Sequence, residues 1–284
     1  MSGAPERRPP SRFPAVLDAS RPSIARVYDG FLGGKEHYEA DREVMRHVLG
    51  AVPDAAELVC ANRAFLTRAC RFLATETKIE QYLDCGAGLP TEENTHQIVQ
   101  RANPDARVIY VDDDPVVLAQ GRALLEENEN VHVIEADIFT PSAVLRHEVV
   151  LRHLDFGEPV ALLHVGTLPQ LAGDGGPEIM REYLDALAPG SYVVLSHFYD
   201  PEVPELTEVA RRFENALVSG PLGAGWFRTR DEITALVRGL EIVRPNATSE
   251  PDLVPCDEWW PDGPRLAPPG KAARCVAGLV ARKP

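Results

Sequence analysis

The chain has 284 residues, 44% hydrophobic and 25% charged, enough for one large domain with a buried core. Its 29 Lys and Arg stand against 43 Asp and Glu, a formal charge of −14. That balance repels phosphate backbones and anionic bilayers, so neither nucleic acid nor membrane is an expected partner. No apolar run approaches the roughly 20 residues of a membrane helix. Five scattered cysteines without a CxxC pair suit neither a disulfide framework nor a zinc site, and a reducing cytoplasm is the expected compartment.

Residues 1–21 are rich in Pro, Arg and Ser and have no apolar stretch, so they read as a disordered lead-in and not as a secretory signal. Ser23 has the chemistry of an N-cap for a short helix reaching Leu32, stopped by Gly33 and Gly34. Helices are also predicted over 36–49 and 54–74; the second carries Leu58, Phe65, Ala69, Phe72 and Leu73 at helical spacing, facing a core. Residues 22–78 thus read as a helical cap or lid, and 79–284 as the main domain. From Gln81 onward the pattern alternates. Strands are predicted over 81–84, 107–111, 131–135, 159–165 and 191–196, with helices between them. Such alternation makes βαβ units and a mostly parallel, two-sided sheet. Helices over 205–217 and 231–237, a short strand over 240–243 and a last strand over 275–281 complete the chain. The Pro-rich stretch 245–270, holding Trp259 and Trp260, reads as a long loop that either serves the site or is anchored on the sheet.

The strongest local signal is Leu83-Asp84-Cys85-Gly86-Ala87-Gly88, a strand ending at an acid with two glycines beyond it. Glycine there permits a sharp turn and close backbone approach to a ligand, although a ligand-free strand–helix turn uses the same residues. The second strand ends in Asp112-Asp113-Asp114. A carboxylate at that tip accepts hydrogen bonds from the vicinal hydroxyls of a ribose, whereas three acids repel a pyrophosphate. Thr91 stands where a dinucleotide fold carries its third glycine. Asp114 reads as the cap of the helix that begins at Pro115. The third strand ends in Glu135-Ala136-Asp137-Ile138, an acid that bonds an exocyclic amine beside an apolar residue that packs on a base, or else a solvated turn.

These motifs, with PSIARVYD at 22–29, LGGK at 32–35, LDFGEPVA at 154–161 and APGSYVVLSH at 188–197, make the chain resemble the actinobacterial S-adenosyl methyltransferase family, formerly a domain of unknown function. The resemblance runs from Pro22 to the end. Members more often show Ile and Thr at the positions of Cys85 and Ala87, and His164-Val165-Gly166-Thr167 departs further from their pattern. The resemblance implies a Rossmann-like, seven-stranded methyltransferase sheet with an antiparallel last strand and a helical N-terminal extension. It also implies S-adenosylmethionine as methyl donor: Asp84, Gly86 and Gly88 around its methionine part, Asp112 beside Asp113 on the ribose, and Asp137 and Ile138 at the adenine. It names no acceptor; a small molecule is expected.

Three further groups bear on that site. The N-terminal helices are expected to cover the donor with Arg26, Tyr28 and Lys35 facing it, where Lys35 or Arg26 would pair with the donor's carboxylate; a solvated basic residue and a packed Tyr fit each position equally well. Gly33-Gly34-Lys35 is not a phosphate loop, because Asp29 and Glu36 stand where that motif needs Gly and Ser or Thr. His164 at the tip of strand four and His197 after strand five lie at the carboxyl edge, where ligands bind; each is a candidate general base or, as is more common, a core or surface histidine satisfied by backbone. The other histidines show no ligand spacing, so no metal is expected. A non-catalytic protein sensing the donor or its product fits the same pattern, and a nucleotide-dependent oxidoreductase fits it less well.

Overall fold

In the computed structural model, which describes residues 18–261, 263 and 268–284, the chain enters its first helix at Ser23. The lead-in expected over 1–21 lies, up to residue 17, outside the described residues. The Ser23 hydroxyl accepts from the Arg26 N–H at 3.4 Å and caps α1 (Ile24–Phe31), which stops before Gly33 at φ +87°. Two longer helices follow, α2 (Glu39–Ala51) and α3 (Ala55–Glu76). The alternating part then runs β1 (Gln81–Cys85), α4 (Thr95–Gln100), β2 (Arg107–Asp112), α5 (Pro115–Leu124), β3 (Val131–Glu135), α6 (Pro141–Leu145), α7 (Glu148–His153), β4 (Ala161–Val165), α8 (Gly176–Ala186) and β5 (Tyr192–Phe198). After α9 (Pro204–Val218) and α10 (Arg230–Ala235) come β6 (Glu241–Ile242), β7 (Val254–Pro255) and β8 (Val276–Arg282).

The sheet has the order β3-β2-β1-β4-β5-β8-β6, with β7 also paired to β8. Strands β1 to β5 are parallel, and β8 lies antiparallel between β5 and β6. The count is therefore eight, one more than expected. The extra strand, Val254–Pro255, falls in the stretch read as a loop, and two residues carry no periodicity to reveal it. Strand order reverses beside β1, and the crevice this leaves at the carboxyl ends positions the site.

Both faces of the sheet are covered. Tyr82, Val108, Leu163 and Val194 pack with Phe65, Ala69 and Leu73 of α3 on one side. Leu83, Ile109, Leu162 and Leu195 pack with Met180 and Tyr183 of α8 on the other. Strands buried on two faces read as continuous apolar runs, which is why β1 and β4 show no alternation in sequence. Helix α3 lies directly on β8: a Cβ on Gly278 would come within 2.7 Å of the Phe65 ring. Trp259 is fully buried edge-on to Phe65 and Phe72, each at 5.5 Å, and Arg68 donates to the carbonyls of Trp259 and Cys256. Each such aromatic pair adds roughly 0.5–1.5 kcal/mol beyond the area it buries. The tryptophan loop is an anchor on α3. Among the described residues no helix is long and apolar enough to cross a membrane.

Candidate active site

The turn after β1 is built around two left-handed glycines. The N–H groups of Gly86 and Ala87 both donate to the Val111 carbonyl, at 2.8 and 3.0 Å, which ties the turn to the tip of β2. Gly86 has φ +81°, and a Cβ there would sit 2.3 Å from the Thr167 Cγ2, so no larger residue fits between β1 and the turn after β4. Gly88 has φ +65° and open space where its Cβ would be, so its bare backbone faces a cavity of about 540 Å³.

That cavity brings together Asp84, Gly86, Gly88, Asp112, Asp113, Asp137, Ile138 and Tyr28. Its size is that of a small-molecule site. Asp112 Oδ2 accepts from the Gly88 N–H at 3.0 Å, and Oδ1 accepts from the N–H groups of Asp113 and Asp114, both at 2.9 Å. Burial pushes the Asp112 carboxyl above its ordinary range against these bonds; Asp113 rises too, through burial and then the nearby Asp137. Asp84 is pushed up to about 6 by burial, opposed by the Thr95 hydroxyl that donates to it at 2.7 Å and by Arg63. Asp137 holds its own turn, accepting from the Phe139 N–H and the Thr140 hydroxyl, both at 2.8 Å. The Ile138 carbonyl accepts from the Tyr183 hydroxyl at 2.9 Å. Asp114 caps α5 through Val116 N–H and also accepts from the Ser23 hydroxyl at 2.6 Å, which joins α1 to the tip of β2.

Four of the residues singled out in the sequence lie elsewhere. Lys35 is exposed and outside the cavity wall. Arg26 turns away, its Nε bonded to Asp41 at 2.8 Å in a buried ion pair. His164 points to the opposite face of the sheet, against Tyr183 with ring centroids 5.1 Å apart. Its Nδ1 lies 3.1 Å from the Thr167 hydroxyl, its Nε2 is buried without a partner among the described residues, and burial lowers its pKa to about 3. A ring so placed reaches no reactant in the cavity. His197 opens onto a second, smaller cavity.

Helix α3 supplies what sequence reasoning missed. Arg63 is the one Lys or Arg among the described residues lining the main cavity, and it donates to the Thr91 hydroxyl and the Glu93 carbonyl. Beside it Asn62, buried, donates from Nδ2 to the Tyr28 hydroxyl at 3.0 Å and accepts from the Ser196 hydroxyl. Gly166, at φ +72°, makes room: a Cβ there would be 2.8 Å from the Asn62 Nδ2. Burial raises the Tyr28 hydroxyl to about 12, so it stays protonated at neutral pH.

A family model described as S-adenosyl methyltransferase matches residues 11–284. A crystal structure of a putative methyltransferase from Thermobifida fusca is 40% identical, covering 96% of this chain and 99% of that one with a TM-score of 0.86. A DUF574 family protein from Streptomyces avermitilis is 32% identical over 94% of this chain and 99% of that one, with a TM-score of 0.85. No curated protein matches the chain. With a glycine turn at the tip of β1, an acid at the tip of β2 and a match over nearly the whole chain, the protein belongs to the S-adenosyl methyltransferase family, enzymes whose methyl donor is S-adenosylmethionine.

Proposed function

We propose that this cavity transfers the donor's methyl group to a small-molecule acceptor. The observation that carries this reading is the lining: beside the strand tips, residues 22–25 with Tyr28 and Leu32, and Pro221, Leu222 and Ala224 beyond α9, all contribute to the cavity wall. A cavity of about 540 Å³ walled in this way favours a compact acceptor over a polymer that would have to lie across it.

The residues present fit the donor. The open backbone at Gly88, where a side chain would intrude, suits close approach of the ligand's methionine part, and Arg63 is placed to pair with its carboxylate. A carboxylate has about four acceptor positions, and three N–H groups already use three on Asp112. One ribose hydroxyl therefore goes to Asp112, and the adjacent Asp113 takes the other. Asp137 and Ile138 flank the adenine. The bound donor supplies an electrophilic sulfonium methyl and leaves as the thioether S-adenosylhomocysteine.

The chain's own contribution is alignment. Holding nucleophile and methyl in line lowers such a barrier by on the order of 7–11 kcal/mol in well-oriented cases. Tyr28, Asn62 and Thr167, grouped around the turn after β4, orient the acceptor. Tyr28 stays protonated, accepting from Asn62 and donating to the Val59 carbonyl at 3.4 Å, so it holds Asn62 in place and does not act as a base. Incubating the protein with labelled donor and a metabolite extract should yield S-adenosylhomocysteine and a labelled small product. Tight donor binding without transfer across a broad extract overturns the reading.

A further inference from the structure

His197 is 3% exposed, and its ring opens on a cavity of about 210 Å³ between α8 and α10, separate from the donor cavity. Its Nδ1 lies 2.8 Å from the Phe198 carbonyl. The proton is therefore on Nδ1, and Nε2 is left as an acceptor that nothing among the described residues satisfies. Burial lowers the ring's pKa to about 4 and keeps it neutral.

Two charges act on that ring, Arg228 and Glu232, and both line the cavity. Arg228 Nη2 donates to the Gly173 carbonyl at 2.6 Å, which fixes the guanidinium and leaves its other N–H groups available. Glu232 Oε2 accepts from the Thr229 N–H and hydroxyl at 2.8 and 2.9 Å, which leaves Oε1. Helix α8 begins at the same wall. Its cap is Gly175, which makes no side-chain cap bond, and Pro177 and Glu178 stand in the first turn. Leu168, Leu171 and Leu236 give the cavity an apolar part, and Asp174 adds a further acid to its lining.

We propose that this second cavity binds a small amphoteric carboxylate of the apolar α-amino-acid type. The carboxylate sits on Arg228, beside the uncapped start of α8. The ammonium donates to His197 Nε2 and Glu232, and the side chain packs on the three leucines. A phosphate-like dianion would bring two negative charges against Asp174 and Glu232 with no ammonium to offset them, and a simple cation would leave Arg228 unpaired.

The test follows the His197 ring resonances by NMR while L-valine, L-leucine or L-methionine is added. At least one should give a saturating shift below about 10 mM, just beyond the millimolar end of the affinity scale. The amide and the deaminated acid of that amino acid, each lacking one charge, should bind about tenfold more weakly or worse. Arg228→Met should abolish the shift while S-adenosylhomocysteine affinity, measured by calorimetry, stays unchanged. Should that variant fail to fold, Arg228→Lys keeps the charge but loses the fork and should still weaken binding. No saturating shift with any of the three amino acids, or equal binding of the two analogues, overturns the proposal.

Discussion

Asp84 and His164 each stand one residue before the end of neighbouring parallel strands, yet only Asp84 lines the main cavity. The register explains it. Asp84 lies opposite Leu163, not His164, so the histidine shares its level and its face with Cys85. Leu163 belongs to the α3 side of the sheet and Cys85 to the α8 side. A stagger of one residue sends a side chain to the other face. The consequence is chemical as well as spatial, because Asp84 at about 6 titrates in the working range while His164 at about 3 stays neutral.

The sharpest way to break that comparison is to titrate stability. The pKa of Asp84 in the folded protein lies above the unfolded value near 3.9, so its contribution favours the fold fully below that pH. It is lost as the pH rises through about 6. The change is on the order of 3 kcal/mol. Denaturant melts of wild type and Asp84→Asn should diverge between pH 4 and 7, the variant gaining relative stability at the neutral end. Parallel curves would mean that Asp84 is not held in the environment described. Next in size is Asp112→Ala, which removes one charged hydrogen bond to the donor, roughly 1.5–3 kcal/mol. Calorimetry should show donor affinity falling about ten- to hundredfold, and an unchanged affinity removes Asp112 from the ribose. His164→Leu gives the other side of the comparison. It should cost about 1 kcal/mol through the lost Thr167 bond and leave S-adenosylhomocysteine affinity unaltered. A large loss of affinity would put the ring back at the site.

The parts of the site carried by local sequence were legible, and those carried by register or tertiary packing were not. Gly86, Gly88 and Asp112–Asp114 sit in consecutive turns whose backbone demands show in residue type, and the Asp114 cap before Pro115 is visible in the same way. The two histidines could not be placed, because strands apolar on both faces hide which residues share a side. Arg63 and Asn62 lie some twenty residues before the first strand, in a helix whose apolar spacing marks Phe65 and Ala69 but says nothing of its flank. Only the docking of α3 on β8 brings that flank to the cavity. Arg26 read as a free cation in sequence; its partner Asp41 lies fifteen residues on, in another helix.

The smallest expected effect separates α1 from α3. Both line the cavity, but α3 is welded to the sheet through Phe65, Ala69 and Leu73, whereas α1 has eight residues, too few to be stable alone. It is held by the Ser23–Asp114 bond, the Arg26–Asp41 pair and the Tyr28–Asn62 bond. Only the first of these joins it to the tip of a donor-side strand. Ser23→Ala removes that bond and the N-cap together, a loss of about 1 kcal/mol. Hydrogen exchange across 24–33 should then quicken about fivefold. Adding S-adenosylhomocysteine to the wild type should slow exchange there while leaving the middle of α3 unchanged. Equal slowing of both helices would mean that α1 opens only when the whole domain does, and its stretch of the cavity wall would then be a fixed part of the fold.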